Sequence, residues 1–249
     1  MWLPGFFPNT NGCHAAKDKT MLRLNEGRVV KRPADIDRAR RECSAHRRMR
    51  MASVSHTWGT EPHERAGTLP CDRVVPCPDD TLYRGITIEA QPSVVFRWLC
   101  QMRVAPYSYD WIDNLGRQSP RRLIPGLDEL ALGQEVMRDF ELVDFAQDQH
   151  LTVRVKATSL IRRICGDTAA SYCVIPEGTG KCRLLVKAVV CYPRGGRGWL
   201  LRRLLPWGDL IMMRRQLLNF KELAERDGYS AAARRHTQER NRGDHGRFA

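Results

Sequence analysis

No stretch of this 249-residue chain approaches the ~18 consecutive apolar residues that a membrane-spanning helix requires. There is no Cys-x-x-Cys pair and no His-Glu-x-x-His word, which argues against a metal centre. Between residues 51 and 227 only His56, His63 and His150 supply imidazoles. No Gly-x-Ser-x-Gly elbow, Ser-His-Asp order or paired-carboxylate spacing is present, so neither a serine hydrolase nor a glycosidase is indicated. No internal repeat is visible. Residues Met1–Pro8 are apolar but broken by Pro4 and Pro8, and they lack a basic start, so no secretory signal is expected. Nine cysteines, an odd number, then read as reduced thiols in a cytoplasmic protein. Cys173, Cys182 and Cys191 fall on two expected neighbouring strands, where cysteine behaves as a small buried hydrophobe.

Positive charge is abundant: 41 Lys+Arg oppose 28 Asp+Glu, a net of +13. Its distribution decides what that means. Residues 1–50 carry a net +7 and residues 228–249 a net +3, which leaves +3 for residues 51–227. The excess therefore sits in two flanks that read as solvated and disordered, residues 1–55 and 228–249. A start at Met1 and a start near Met51 both stay open. The near-neutral middle shows no helix-turn-helix or base-stacking pattern, so no nucleic-acid partner is expected.

The middle is patterned. Residues 56–80 are rich in Pro, Thr and Gly and predict an extended lead-in, with Trp58 and Leu69–Val75 packed on the body. Leu82–Ile88 alternates as a strand does. Pro92 suits a first helical turn, and Val94, Val95, Trp98, Leu99 and Met102 follow at helical spacing, predicting a helix over 92–102. Residues 103–118 crowd Tyr107, Tyr109, Trp111 and Ile112 into a loop. Ser119-Pro120 reads as a cap and first turn of a short helical segment reaching about Leu130. From Gly133 the period becomes two: Gln134–Met137, Phe140–Phe145 and His150–Ala157 predict antiparallel strands, with Leu160–Ile164 as a further one. Ala170–Ile175 and Cys182–Tyr192 flank a turn-rich loop and predict a hairpin. Leu210, Ile211, Met213, Leu217, Phe220, Leu223 and Ala224 mark a helix over 206–227. This order predicts an α+β domain over 56–227, a curved antiparallel sheet wrapped around a long C-terminal helix, with a cavity between them.

That order and several words resemble the START-like or SRPBCC superfamily with its helix-grip fold. The nearest likeness is to its polyketide cyclase/dehydrase and lipid-transport branch, especially actinobacterial members of undetermined function. The words are Thr57-Trp-Gly-Thr60, Leu69-Pro-Cys-Asp72 with Val75-Pro76, Ile86–Glu89 with Pro92–Gln101, and Tyr107-Ser-Tyr-Asp-Trp111 with Asn114. Leu132-Gly133-Gln134, Cys182-Arg-Leu-Leu185, Met212-Met-Arg-Arg-Gln-Leu217 and Ala224-Glu225 complete them. The chain departs from that pattern at Met102–Pro106, a short Pro-stiffened link where such proteins often carry a Gly-rich segment. The resemblance implies binding or transport of a hydrophobic small molecule, lipid or polyketide-like, without a cofactor. It leaves open a cyclase or dehydratase acting on such a molecule, because fold does not fix function.

On the binding reading, Tyr107, Tyr109 and Trp111 line or gate the mouth. Phe140, Leu142 and Tyr172 on the strands and Met213, Leu217 and Phe220 on the last helix line the interior; each is equally a core position. Alternatively Tyr109 and Asp110 share a buried hydrogen bond that pins the loop. On the enzyme reading, Tyr107, Tyr109, Asp110, Asp113 and His150 are the available acids and bases, and none is forced. His150 precedes a strand and reads as a surface histidine. A further alternative is docking on a membrane surface through residues 194–207, where Arg194, Arg197, Arg202 and Arg203 interleave with Trp199, Leu200, Leu201, Leu204, Leu205 and Trp207. Nothing in the sequence sets the oligomeric state.

Overall fold

The computed structural model describes residues 53–113 and 116–245. Most of the expected N-terminal arm, residues 1–52, lies outside the described residues. The lead-in carries two single-turn helices, α1 (Val54–Thr57) and α2 (Cys71–Val74), rather than staying extended. Ser53 caps α1, its Oγ accepting from Ser55 N at 3.3 Å, and Asp72 inside α2 braces the chain before it by accepting from Leu69 N at 2.8 Å. Then follow β1 (Asp80–Ile88), α3 (Pro92–Cys100), a 3-10 turn (Gln101–Arg103), α4 (Asp110–Asp113), β2 (Glu135–Val136), β3 (Phe140–Ala146) and β4 (His150–Val155). The chain continues through α5 (Leu160–Cys165), β5 (Asp167–Pro176), β6 (Cys182–Cys191) and α6 (Gly196–His245).

The six strands form one curved antiparallel sheet in the order β1-β6-β5-β4-β3-β2, so the first strand returns to pair with the last. The two-residue period sorts side chains by face. Leu82 and Ile88 of β1 and Cys182, Leu184 and Val186 of β6 share one core with Trp98 and Leu99 of α3 and Leu217, Phe220, Leu223 and Ala224 of α6. This is the α+β helix-grip arrangement that the sequence predicts.

The opposite face of the sheet is covered by the lead-in. Cys71 and Val75 form a second, smaller core with Ala169 and Val189. The polar residues of β6 on this face are satisfied by the lead-in too. Buried Lys187 places Nζ 2.5 Å from Asp72 Oδ2 and over the Tyr83 ring, while Arg183 clasps Glu64 at 2.7 and 3.1 Å.

Four local expectations are corrected. Residues 119–130 form no helix: Pro125 biases Ile124 away from helical backbone, and Gly126 takes a φ of 79°. Gln101 instead holds the Ile124 backbone at both N and O, and Arg103 reaches the carbonyls of Leu127 and Glu129. Leu160–Cys165 is a helix, not a strand, because Ser159 caps it by accepting from Ile161 N at 3.0 Å. The last helix begins at Gly196, ten residues before the expected start, with Pro206 inside it. It also runs past Gly228 to His245, where a disordered tail was expected; Ala, Arg, Gln and Glu after Gly228 are good helix formers.

Candidate functional site

The Tyr107-Ser-Tyr-Asp-Trp111 loop sits where α3, α6 and the 119–130 segment meet. Three residues of α6 hold it. Asn219 Nδ2 donates to the Tyr107 carbonyl at 2.8 Å, Gln216 Nε2 donates to the Pro106 carbonyl, and the Phe220 ring lies 5.4 Å from the Tyr107 ring. Trp98 of α3 meets Tyr107 edge-on at 5.9 Å. Gln216 is fixed in turn by Tyr172, whose hydroxyl donates to its Oε1 at 3.0 Å. A sheet residue therefore positions the loop through the helix.

The far end of the loop is pinned by Asp110, which accepts from Ser119 N at 2.9 Å and Ser119 Oγ at 2.5 Å. This replaces the expected Tyr109–Asp110 bond: the carboxylate has two better-placed donors in Ser119. Between these anchors opens a pocket of about 430 Å³. Tyr107, Ser108, Tyr109, Asp110 and Trp111 form one wall, Gln118, Ser119 and Arg121 a second, and Arg215, Asn219 and Leu223 of α6 the third.

Tyr107 is the unusual residue of this pocket. It is 1% exposed, yet its hydroxyl has no hydrogen-bond partner among the described residues. Its φ is 57°, in the left-handed region that a bulky side chain rarely enters. Burial pushes its hydroxyl pKa up, and the neighbouring Asp110 charge adds to this. The group stays a protonated donor.

Of the nine residues expected to line a ligand site, the structure brings Tyr107, Tyr109 and Trp111 to the pocket, with Trp111 75% exposed at its rim. Leu142, Tyr172, Leu217 and Phe220 belong to the main core, and Phe140 and Met213 pack half-buried against it. His150 is half-buried rather than on the surface, 3.7 Å from Asp144, and is not part of the pocket wall. The side chain of Asp113 lies outside the described residues. Sequence reasoning missed Gln216, Asn219, Ser119 and Arg215. A signal existed for two of them: Gln216 and Asn219 interrupt the apolar face of α6 between Met213 and Leu223 at helical spacing. Among the described residues no cluster of His, Cys, Asp and Glu is placed to hold a metal, and no helix is long and apolar enough to cross a membrane.

No family model matches the chain, and no curated protein matches its sequence. Solved structures do match in arrangement. An aromatase/cyclase from a Streptomyces species is 11% identical over 59% of this chain and 93% of its own, with a TM-score of 0.39. A START superfamily protein from Mycobacterium smegmatis is 10% identical over 59% of this chain and 97% of its own, with a TM-score of 0.36. Norcoclaurine synthase from Thalictrum flavum is 10% identical over 57% of this chain and 84% of its own, with a TM-score of 0.33. Likeness of this degree adds nothing about ligand or activity to what the strand order and the terminal helix already show.

Proposed function

We propose that the protein binds a hydrophobic small molecule bearing a polar or anionic group, lipid or polyketide-like, at the Tyr107 pocket. The observation that carries this reading is Tyr107, a pocket-wall residue with a strained backbone whose buried hydroxyl has no partner among the described residues. An orphaned buried donor costs about 1–3 kcal/mol, and a ligand acceptor would relieve it. The pocket volume falls within the range of small-molecule sites. Trp111, Tyr109 and Leu223 offer apolar surface, while Arg215 and Asn219 offer donors for the polar end. Phe140, Leu142, Tyr172, Met213, Leu217 and Phe220 belong to or pack on the core that Tyr107 joins, and Phe220 meets its ring directly. Binding suits these groups better than acid–base work, since Asp110 is occupied by Ser119 and Tyr107 is held protonated.

Native mass spectrometry of the full chain, purified from a lipid-rich host and separately incubated with decanoate, tests this. One hydrophobic compound per chain, or a 1:1 decanoate complex, is expected. Tyr107→Phe and Arg215→Glu should each lower occupancy by about threefold to tenfold, the loss of one hydrogen bond or charge contact. Tyr107→Phe should at the same time hold or raise Tm. Neither a co-purified compound nor a decanoate complex, or occupancy indifferent to both substitutions, would falsify the reading.

A further inference from the structure

A globular helix buries an apolar face and turns a polar one outward. The first half of α6 departs from this rule. Its inner face is buried at Leu210 and packed at Leu205 and Met213, as expected. Its outer face is apolar as well: Trp199 is 61% exposed and Leu204 58%, with Leu200, Trp207 and Ile211 also exposed. At about 100° per residue Leu200, Leu204, Trp207 and Ile211 fall within an arc of roughly 60°, one stripe, with Trp199 about 80° to its side at the start of the helix. Helix α5 packs beside α6, with Cys165 at its end within electrostatic reach of Arg197, and it adds exposed Leu160, Ile161 and Ile164. Two neighbouring helices thus each expose apolar side chains.

The charge around these side chains has one sign. Between residues 194 and 221 Asp209 is the single acid against six arginines and one lysine, and Asp209 is taken by buried Arg84 at 2.6 Å. Asp167, after α5, is taken by Arg154 and Arg162. Arg202 is paired with Asp79 at 2.9 Å. Arg194, Arg197 and Arg163 make no ion pair among the described residues. Arg203 lies over the Trp199 ring at 5.0 Å, a cation beside an interfacial aromatic. Apolar side chains, two tryptophans and unpaired arginines gathered around the start of α6 match the interface of an anionic bilayer, in which such a helix lies flat rather than spanning.

We propose that α5 and the 199–211 face of α6 form a docking surface for an anionic membrane. The proposal is independent of what the Tyr107 pocket binds. Vesicle flotation of the full chain tests it, with phosphatidylcholine vesicles alone and with about 30% phosphatidylserine. The chain should float with the anionic vesicles and less so as salt is raised. Leu204→Ser/Trp207→Ser should cut that partitioning by about tenfold or more, since both side chains are exposed and their loss leaves Tm unchanged. Arg194→Glu/Arg197→Glu should reduce flotation with anionic vesicles and leave any residual binding to phosphatidylcholine alone. Equal flotation of wild type and Leu204→Ser/Trp207→Ser would overturn the proposal by assigning binding to the basic flanks. So would a wild-type dimer in light scattering that this variant dissociates without any vesicle binding, since a second copy would then cover the face.

Discussion

At Tyr107 a left-handed backbone, a buried hydroxyl unpartnered among the described residues and two ring contacts coincide, and the α6 bonds to Pro106 and Tyr107 hold the backbone there. Strain of this kind persists only where the surroundings fix it. A second residue-scale feature shows how single side chains lock the lead-in to the sheet. Glu64 is nearly buried against Arg183. Burial pushes its carboxyl pKa up, but the hydrogen bonds from Arg183 and the Glu61 backbone N, with the charge of Arg183, together outweigh it, and the net shift is downward. A carboxylate held below its unfolded value contributes stability above that unfolded value and loses it as the pH falls through the folded one. The wild type should therefore lose stability between about pH 6.5 and about pH 3.5 more steeply than Glu64→Gln. At the higher pH the variant should already be weaker by about 1–3 kcal/mol. Denaturant melts at the two pH values read this; parallel losses in the two proteins would show that the pair contributes nothing.

At the scale of elements, the lead-in crosses β1 where two glycines touch. Gly59 has a φ of 71°, and a Cβ there would stand 2.1 Å from the Gly85 carbonyl oxygen. Trp58 O accepts from Gly85 N at 3.1 Å across the same crossing. Gly59→Ala should cost about 2–3 kcal/mol from backbone strain and displacement together. On thermal unfolding that is a fall in Tm of roughly 4–12 °C, and an unchanged Tm would mean that the crossing is loose. This crossing also shows where sequence reasoning stops. The strands, α3 and the core half of α6 were legible because their residues repeat with the period of the element they build. So was the packing of Trp58 and Leu69–Val75 on the body, but the polar pairing of that cover with the outer sheet face was not. Arg183 and Lys187 sit at alternating positions that read as solvent-facing, and their partners Glu64 and Asp72 lie more than a hundred residues away. Periodicity carries no information about such partners. The 119–130 segment failed for a related reason. Ser119-Pro120 has the chemistry of a helix start, yet the Ser119 hydroxyl serves Asp110 and the chain beyond is held by Gln101 and Arg103.

On the scale of the whole molecule, α6 joins two surfaces that the proposals above assign to different partners. Arg215, Asn219 and Leu223 face the Tyr107 pocket, and Leu200 to Ile211 form the outward apolar stripe. From Trp207 to Arg215 is about 12 Å along the axis at 1.5 Å per residue, so the two sites are neighbours without sharing a side chain. Between them the helix is clamped. Arg84 of β1 reaches Asp209 and the Pro206 carbonyl, and Gln216 is tied to Tyr172 and Pro106. A helix held at two levels on a rigid sheet should transmit little from one site to the other, since energetic coupling needs an element with two arrangements. The expected outcome is separability. Leu204→Ser/Trp207→Ser should bind decanoate as the wild type does, within about twofold, and Tyr107→Phe should float with anionic vesicles as the wild type does. Decanoate titrations carried out with and without vesicles complete the cycle. An affinity that changes by more than about fivefold when vesicles are present would mean that α6 moves at the membrane, with the Arg84–Asp209 clamp as the first place to look for the hinge.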